Sequence, residues 1–160
     1  MELLLLRHGQ AENNGPDGSD FSRALVEKGI EQGRCAARIL AAANSLPDLV
    51  LTSPLVRARQ TADAFTEEAG MPGAIIQTWL ACGMAPEQAM EELTAYPDFK
   101  RIMIVGHEPD FSRFIQYSLG AFGESIEVRK GSVICLEITP PSRRCTLRFL
   151  LPHKLLKRME

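Results

Sequence analysis

The chain has 160 residues, of which 45% are hydrophobic, and its formal net charge at pH 7 is -2. This length and composition predict one domain, residues 1–160, with a substantial hydrophobic core. The slightly acidic balance argues against a nucleic-acid-binding protein, which is usually basic. The apolar run 3–6 is too short for a signal peptide, and no stretch approaches the roughly 20 apolar residues of a membrane helix. We therefore expect a cytoplasmic protein that binds neither nucleic acid nor membrane.

The cysteines are expected to be free thiols, and no metal site is expected. Cys35, Cys82, Cys135 and Cys145 show no C-x-x-C spacing, and a reducing compartment keeps thiols unpaired. The sequence has three histidines, none of which is paired with a cysteine at the spacing of a zinc site.

Predicted strands and helices alternate along most of the chain, with loops rich in Gly, Pro, Asn and Asp between them. In chain order we expect a strand at 2–7, a loop at 11–20, a helix at 25–43, a strand at 49–52, a helix at 55–69, a strand at 74–79, a short helix at 86–96, a strand at 101–105 and a helix at 109–119. Gly70 and Pro72 are expected to end the second helix.

The C-terminal part breaks this alternation. Two apolar stretches, 132–138 and 146–151, are joined by a short link and predict a hairpin. The basic cluster 154–158 predicts a solvated helix end or tail. Strands that alternate with helices favour a parallel sheet covered on both faces. The expected fold class is therefore α/β: three α/β/α layers with a mostly parallel six-stranded sheet, mixed at the C-terminal hairpin, and no large cap domain.

Reactive side chains follow three of the predicted strands. Arg7 and His8 end the first, Arg57 comes shortly after the second, and His107 follows the fourth. In open α/β sheets, ligands bind outside the carboxyl ends of the strands. A solvated arginine or a structural histidine explains any one of these residues alone. Their convergence on three strand ends favours a common site.

The segment after the second strand adds an electrostatic argument. Ser53 is expected to cap the second helix and Pro54 to be its first residue. Arg57 then lies in or just past the first helical turn, with Arg59 close behind. A cation there opposes the helix dipole, and a bound anion, held by backbone N–H groups and a guanidinium, would compensate for it.

This set of residues suits a phosphoryl group. Two guanidinium groups bind its oxygens and neutralise charge in the transition state. A histidine can attack phosphorus and form a phosphohistidine that water later hydrolyses. The sequence has no P-loop motif and no carboxylate cluster for magnesium, so we expect metal-free chemistry with no cofactor.

Four segments of the chain resemble the motifs of the histidine phosphatase (phosphoglycerate-mutase-like) superfamily. They are 3–11 (LLLLRHGQA), 25–32 (LVEKGIEQ), 53–61 (SPLVRARQT) and 105–109 (VGHEP). Val26 departs from the pattern, because the family has threonine there. The resemblance spans nearly the whole chain and is greatest to small SixA-type phosphohistidine phosphatases. It implies that residues 1–160 form a single histidine-phosphatase-like domain.

The resemblance also implies roles for individual residues. His8 corresponds to the nucleophile that becomes transiently phosphorylated, and Arg7 and Arg57 correspond to the phosphate-binding arginines. His107 corresponds to the second histidine, which contacts the phosphoryl group and helps to hold its charge. Asn14 stands where mutase-like members often carry an asparagine near the phosphate.

One departure from the family bears on the substrate. Larger members place a glutamate after the third strand as general acid, but here 79–85 reads WLACGMA, without a carboxylate. Glu87 and Glu108 are expected to be charges at helix N-termini, although the sequence leaves open whether either donates a proton. The absence of a general acid matters least when the leaving group is imidazole. Its pKa is about 6.5, so it can take a proton from solvent as it leaves.

The shortness of the stretch 79–101 points the same way, because it leaves no room for an enclosing cap. We therefore expect hydrolysis of phosphohistidine on a protein partner, either a phosphotransfer domain of a signalling relay or a phosphocarrier. Two alternatives stay open: a phosphatase or mutase acting on small phosphate esters, and a catalytically silent phosphoprotein-binding module. No oligomeric state is predicted.

Overall fold

Six β-strands and five α-helices make up the regular structure of residues 1–123 and 125–160, which the computed structural model describes. The strands are β1 (Glu2–Arg7), β2 (Leu49–Thr52), β3 (Ile75–Ile76), β4 (Arg101–Gly106), β5 (Val133–Thr139) and β6 (Ser142–Leu151). The helices are α1 (Glu27–Ala42), α2 (Val56–Ala69), α3 (Pro86–Glu92), α4 (Asp110–Leu119) and α5 (His153–Met159). Within the described residues, no helix has the length and apolar character needed to span a membrane.

All six strands form one sheet, in the order β3-β2-β4-β1-β5-β6. The pairs β2–β3, β2–β4 and β1–β4 are parallel, whereas β1–β5 and β5–β6 are antiparallel. This confirms the predicted mostly parallel sheet that is mixed at the C-terminal hairpin. Arg7 pairs with Gly106, and Thr52 with Val105. The carboxyl ends of β1, β4 and β2 therefore lie side by side at one edge.

Both faces of the sheet are covered. Leu3 and Leu5 pack into a core with Phe111 and Phe114 of α4, whereas Leu4 and Leu6 pack on the other face against α1 and α2. Successive residues of a strand point to opposite faces, so burial on both sides explains why β1 is an unbroken leucine run. The three-layer arrangement is confirmed.

The third strand is shorter than predicted. It was expected at 74–79, but it pairs with β2 only over Ile75–Ile76, and both isoleucines are 48% exposed. The next residues, Thr78–Leu80, form a 3-10 turn that buries Trp79 and Leu80. An edge strand has one pairing partner, so burial of these two side chains outweighs further pairing.

The predicted cap of α2 was wrong. The helix begins at Val56 with Leu55 as its N-cap, two residues later than Ser53 and Pro54 would require. Ser53 instead continues the sheet, since its N–H donates to the Val105 carbonyl at 3.0 Å. Its hydroxyl accepts from the Leu55 N–H at 3.3 Å. Gly70 ends the helix in the left-handed conformation, as predicted.

The C-terminal region holds more regular structure than predicted. Strand β6 begins at Ser142 instead of at residue 146, so only two prolines separate it from β5. The stretch predicted as a helix end or tail is the complete helix α5, which buries Leu156 in the core beside α1. The four cysteines are free, as expected.

Candidate active site

The sheet brings the predicted residues to one place. The His8 N–H donates to the Gly106 carbonyl at 3.0 Å, which carries the β1–β4 ladder one step past the strand. His8 and His107 therefore sit on adjacent strand ends, with ring centroids 5.1 Å apart. The Nε of Arg57 lies 3.3 Å from Nε2 of His8. Two histidines and an arginine from three strand ends thus share one buried site.

The imidazole of His8 is held as a neutral base. Its Nδ1 lies 2.9 Å from the Gly9 carbonyl, which can only accept, so Nδ1 carries the proton and Nε2 is unprotonated, with a lone pair that accepts from Nε of Arg57. Burial is the largest cause of a pKa of about 3 for His8; the Gly9 hydrogen bond opposes it, and the nearby His107, Arg57 and Arg7 contribute to the lowering. At neutral pH, Nε2 can therefore act as a nucleophile.

Several motif residues fix the turn that carries His8. A Cβ on Gly9 would lie 2.3 Å from the Gly29 carbonyl oxygen, so the two backbones touch and neither position tolerates a side chain. The Gly9 N–H donates to the hydroxyl of Thr61 at 3.1 Å. The amide oxygen of the buried Gln32 accepts from the Gln10 N–H at 2.8 Å. These motif positions therefore fix the position of His8.

His107 has an unused buried nitrogen. Its Nε2 is 2.7 Å from the Ser53 hydroxyl, whose oxygen already accepts from Leu55 N–H, so we assign the hydroxyl proton to the His107 bond. Nδ1 then carries the ring proton, and it is buried without a hydrogen-bond partner among the described residues. Burial lowers the pKa of His107 to about 4, and Arg57 adds to this effect. A neutral N–H is left for a ligand.

Arg57 is anchored by a contact that the sequence did not predict. The side chain is only 4% exposed. Its Nη1 donates to the Asp20 carbonyl at 2.7 Å, and its Nη2 donates to the Asp20 carboxylate at 2.9 Å. The Asp20 carboxylate thus supplies a negative charge next to this guanidinium, and a bound anion at the helix start stays a prediction. Arg59, two residues further along α2, is exposed.

Arg7 faces the opposite side of the site. Its Nη1 donates to the Val128 carbonyl at 2.7 Å, while its Nε is buried without a partner among residues 1–123 and 125–160. The guanidinium lines a cleft of about 520 Å³ together with Glu108, Ser112 and Arg113 of the α4 side and residues 126–129 opposite. Burial lowers the pKa of Arg7, and the charge of Glu108 opposes this.

The remaining candidates lie further out. Asn14 is exposed in the loop after Ala11, and its role stays a prediction. Glu87 is exposed in the first turn of α3. Glu108 accepts from the Ser112 N–H at 2.9 Å, as expected for a carboxylate at the start of α4. No group of three or more potential metal ligands occurs in the described part of the chain.

Comparison with known proteins identifies the family. The model of the histidine phosphatase superfamily (branch 1) matches residues 3–80. An uncharacterized protein of Picosynechococcus sp. is 32% identical over 145 residues, which cover 85% of this chain and 84% of the relative. The chain belongs to the histidine phosphatase superfamily. The resemblance inferred from its motifs is thereby confirmed.

Other proteins resemble this chain in part of its sequence or in its fold. A 2,3-bisphosphoglycerate-dependent phosphoglycerate mutase of Clavibacter michiganensis subsp. michiganensis is 36% identical over 80 residues, 48% of this chain but only 32% of the mutase. The protein histidine phosphatase SixA, solved with tungstate, superimposes with a TM-score of 0.85 at 20% identity, over 96% of this chain and 98% of SixA. The alpha-ribazole phosphatase of Shigella flexneri gives a TM-score of 0.71 at 23% identity, over 96% and 97%. These two structures share the fold.

Proposed function

We propose that this protein is a metal-independent phosphatase that hydrolyses phosphohistidine on a protein partner through a phosphohistidine intermediate on His8. The observation that carries the proposal is the neutral Nε2 of His8, which faces Arg57 beside the unpartnered donors of Arg7 and His107. A buried N–H without an acceptor costs about 1–3 kcal/mol. Phosphoryl oxygens are acceptors that would recover this free energy.

Two displacements at phosphorus complete the reaction. In the first, the Nε2 lone pair of His8 forms a bond to phosphorus while the bond from phosphorus to the partner's imidazole breaks, and the departing nitrogen takes a proton from solvent. In the second, water attacks the phosphorus and the bond to Nε2 breaks. The water proton is released, which returns neutral His8 and inorganic phosphate. Arg7, Arg57 and the His107 N–H stabilise the negative charge in both steps.

The surroundings of the site favour a phosphorus–nitrogen bond over an ester. The segment after the third strand places Cys82, rather than a carboxylate, within 3.6 Å of Arg57. The buried Asp110 accepts from the Gly83 N–H at 2.9 Å and holds this segment in place. An alkoxide leaving group would need a proton donor here, whereas imidazole can be protonated by solvent near its pKa of about 6.5.

The short segment between β3 and β4 is consistent with a bulky substrate. The stretch between β3 and β4 contains only α3 and short 3-10 turns, and it buries Ala89, Met90 and Leu93 in the core. This stretch therefore packs mainly against the sheet, reaches the site only through the segment that holds Cys82, and forms no separate cap domain. The cleft beside Arg7 also borders Glu108, the residue that follows His107. We further propose that residues 1–160 act as one domain, in the cytoplasm, where free thiols persist.

A comparison of substrates tests the proposal. The kcat/KM for a phosphohistidine-loaded phosphotransfer domain or phosphocarrier is expected to exceed that for phosphoserine peptides, sugar phosphates and 3-phosphoglycerate. The contrast should grow as pH falls toward 6, because the departing imidazole is then more easily protonated. Since the pKa of His8 is about 3, the rate should drop only in more acidic solution. A small ester that is the better substrate at every pH would contradict the proposal.

A phosphatase for small esters is the second candidate. The alpha-ribazole phosphatase shares the fold over 97% of its own chain. A protein of this size and fold can therefore be named for a small phosphate ester. The same substrate panel separates the two candidates. Tight binding of phosphoproteins without any turnover would instead favour a silent binding module.

A further inference from the structure

The loop between β1 and α1 folds against the catalytic arginine. Its base is closed by a bridge between Ala11 and Leu25, and the Glu12 N–H donates to the Ala24 carbonyl at 2.8 Å. Near its tip, the Phe21 carbonyl accepts from the Val56 N–H, the first residue of α2, at 3.2 Å. The loop is therefore attached to the same helix start that carries Arg57.

Asp20 is the contact between this loop and the site. It accepts from both terminal nitrogens of Arg57, once through its carbonyl and once through Oδ2. Its other carboxylate oxygen accepts from Nη1 of Arg23 at 2.8 Å. Arg23 in turn donates through Nε to the Glu12 carbonyl at 2.7 Å, which ties the pair back to the base of the loop.

This geometry divides the guanidinium of Arg57 into two edges. An arginine has five N–H donors in a fixed planar fork. Asp20 occupies the terminal edge, through Nη1 and Nη2, and leaves the Nε–H directed at Nε2 of His8, 3.3 Å away. When His8 forms its bond to phosphorus, its lone pair no longer accepts this N–H. The freed Nε–H can then bind a phosphoryl oxygen.

We propose that Asp20 is a positioning residue, which clamps the terminal edge of Arg57 so that its Nε–H edge faces His8 and the phosphoryl group. The inference rests on the proposed function only in taking His8 as the site of phosphoryl transfer. Fixing a charged donor before the reaction lowers the reorganisation needed in the transition state. Asp20 itself touches neither the nucleophile nor the substrate.

The opposite hypothesis treats Asp20 as a competing anion that must leave before phosphate binds. Two contacts argue against it. One of the two bonds comes from the Asp20 main chain, so a phosphoryl group displaces it only by moving the backbone. The carboxylate also keeps its bond to Arg23. The two hypotheses predict opposite signs for the effect of removing the carboxylate.

The test compares Asp20→Ala and Asp20→Asn with the wild-type protein, using p-nitrophenyl phosphate turnover and calorimetric binding of inorganic phosphate. Positioning predicts that Asp20→Ala lowers kcat about tenfold, more than it changes KM, and does not tighten phosphate binding. Asp20→Asn keeps an acceptor oxygen, and its kcat should fall only about threefold. Faster turnover or tighter phosphate binding in Asp20→Ala would overturn the proposal, as would unchanged kcat.

Asp17→Asn is the matched control. Asp17 lies in the same loop, and its carboxylate accepts from Ser19 and Ser22 instead of from Arg57. It should keep wild-type kcat, and a loss equal to that of Asp20→Ala would show that loop order alone matters. Both probes are independent of any protein partner. A wild-type protein that ignores phosphohistidine but hydrolyses the ester would therefore defeat the proposed function without affecting this test.

Discussion

The two arginines of the site are held in opposite ways. All three side-chain nitrogens of Arg57 have partners in the protein, namely His8 and two atoms of Asp20. Arg7 has one carbonyl partner, and its Nε has none within the described residues. The loop side of the site is thus complete before substrate arrives, whereas the cleft side keeps buried donors without acceptors.

This difference supports the proposed position of the ligand. Leaving a polar group buried and unpaired is expensive. The Nε of Arg7 and Nδ1 of His107 have no partner within residues 1–123 and 125–160, and the proposal gives each of them a phosphoryl oxygen as acceptor. The loop side supplies a fixed guanidinium, which is effective because it needs no rearrangement during the reaction. Preorganisation on one side and open donors on the other together describe a phosphoryl site.

The largest loss of activity is expected when His8, which lies between the loop side and the cleft side, is replaced. His8→Ala removes the proposed nucleophile, whose Nε2 lies 3.3 Å from Nε of Arg57, and turnover should be lost while the fold persists. Activity on a phosphohistidine carrier and the circular dichroism spectrum would be measured together. If more than a few per cent of wild-type turnover remained in the folded variant, the covalent mechanism would be excluded.

A smaller effect is expected on the loop side alone. Arg57→Ala removes an oriented, charge-assisted contact and should cost about 3 kcal/mol in the transition state, or about a hundredfold in kcat/KM. Arg59→Ala is the matched control, because this side chain is exposed and residues two apart in a helix lie on different faces. Equal losses in the two variants would mean that the buried contacts of Arg57 do not serve catalysis.

The sequence predicted the residues at the strand ends better than the residues that hold them in place. His8, Arg57 and His107 meet because β1, β2 and β4 are adjacent and parallel, which follows from the alternation of strands and helices. Asp20 was overlooked because it lies in a loop with no periodic pattern. Its partner is 37 residues away, a contact that local propensity does not encode.

The errors in the fold have similar causes. The third strand was overestimated because an apolar run fits both an edge strand and a segment that turns inward, as Trp79 and Leu80 do. Ser53 looks like a helix cap by composition, but its N–H is already used by Val105 of the sheet. In both places, tertiary contacts outweighed local preference.

The pH dependence of stability probes the buried histidines on both sides. Burial lowers the pKa of His8 to about 3 and of His107 to about 4, below the unfolded value of about 6.5. The unfolded chain therefore binds more protons in acid, so stability is complete above pH 6.5 and falls as pH decreases. Each histidine that stays neutral in the folded protein should lower the free energy of unfolding by about 2 kcal/mol between pH 7 and pH 5.

Urea unfolding at several pH values would check this. Replacing His8 or His107 by Asn should flatten the pH dependence. His153→Asn should also flatten it, because burial lowers the pKa of His153 as well; this residue lies at the start of α5, outside the site, so the variant measures the part of the pH dependence that does not come from the site. A wild-type stability that stayed constant from pH 7 to pH 5 would contradict the buried, neutral state of the catalytic pair.

The smallest expected effect is that of chelation. Arg7 and Arg57 supply the positive charge that a metal ion would otherwise provide at the phosphoryl group. Dialysis against EDTA should leave turnover unchanged on both phosphohistidine and ester substrates. Loss of activity that magnesium or zinc restores would show that the two arginines are not sufficient.

Direct observation of the intermediate tests the central claim. A phosphotransfer domain labelled with ³²P on histidine is mixed with excess protein, quenched in alkali, where phosphohistidine survives, and mapped by mass spectrometry. The account predicts label on Nε2 of His8 that appears before inorganic phosphate, decays as phosphate is released, and is absent from His8→Ala. Release of phosphate in the first turnover with no label on His8 at any time, or label on another residue, would contradict it.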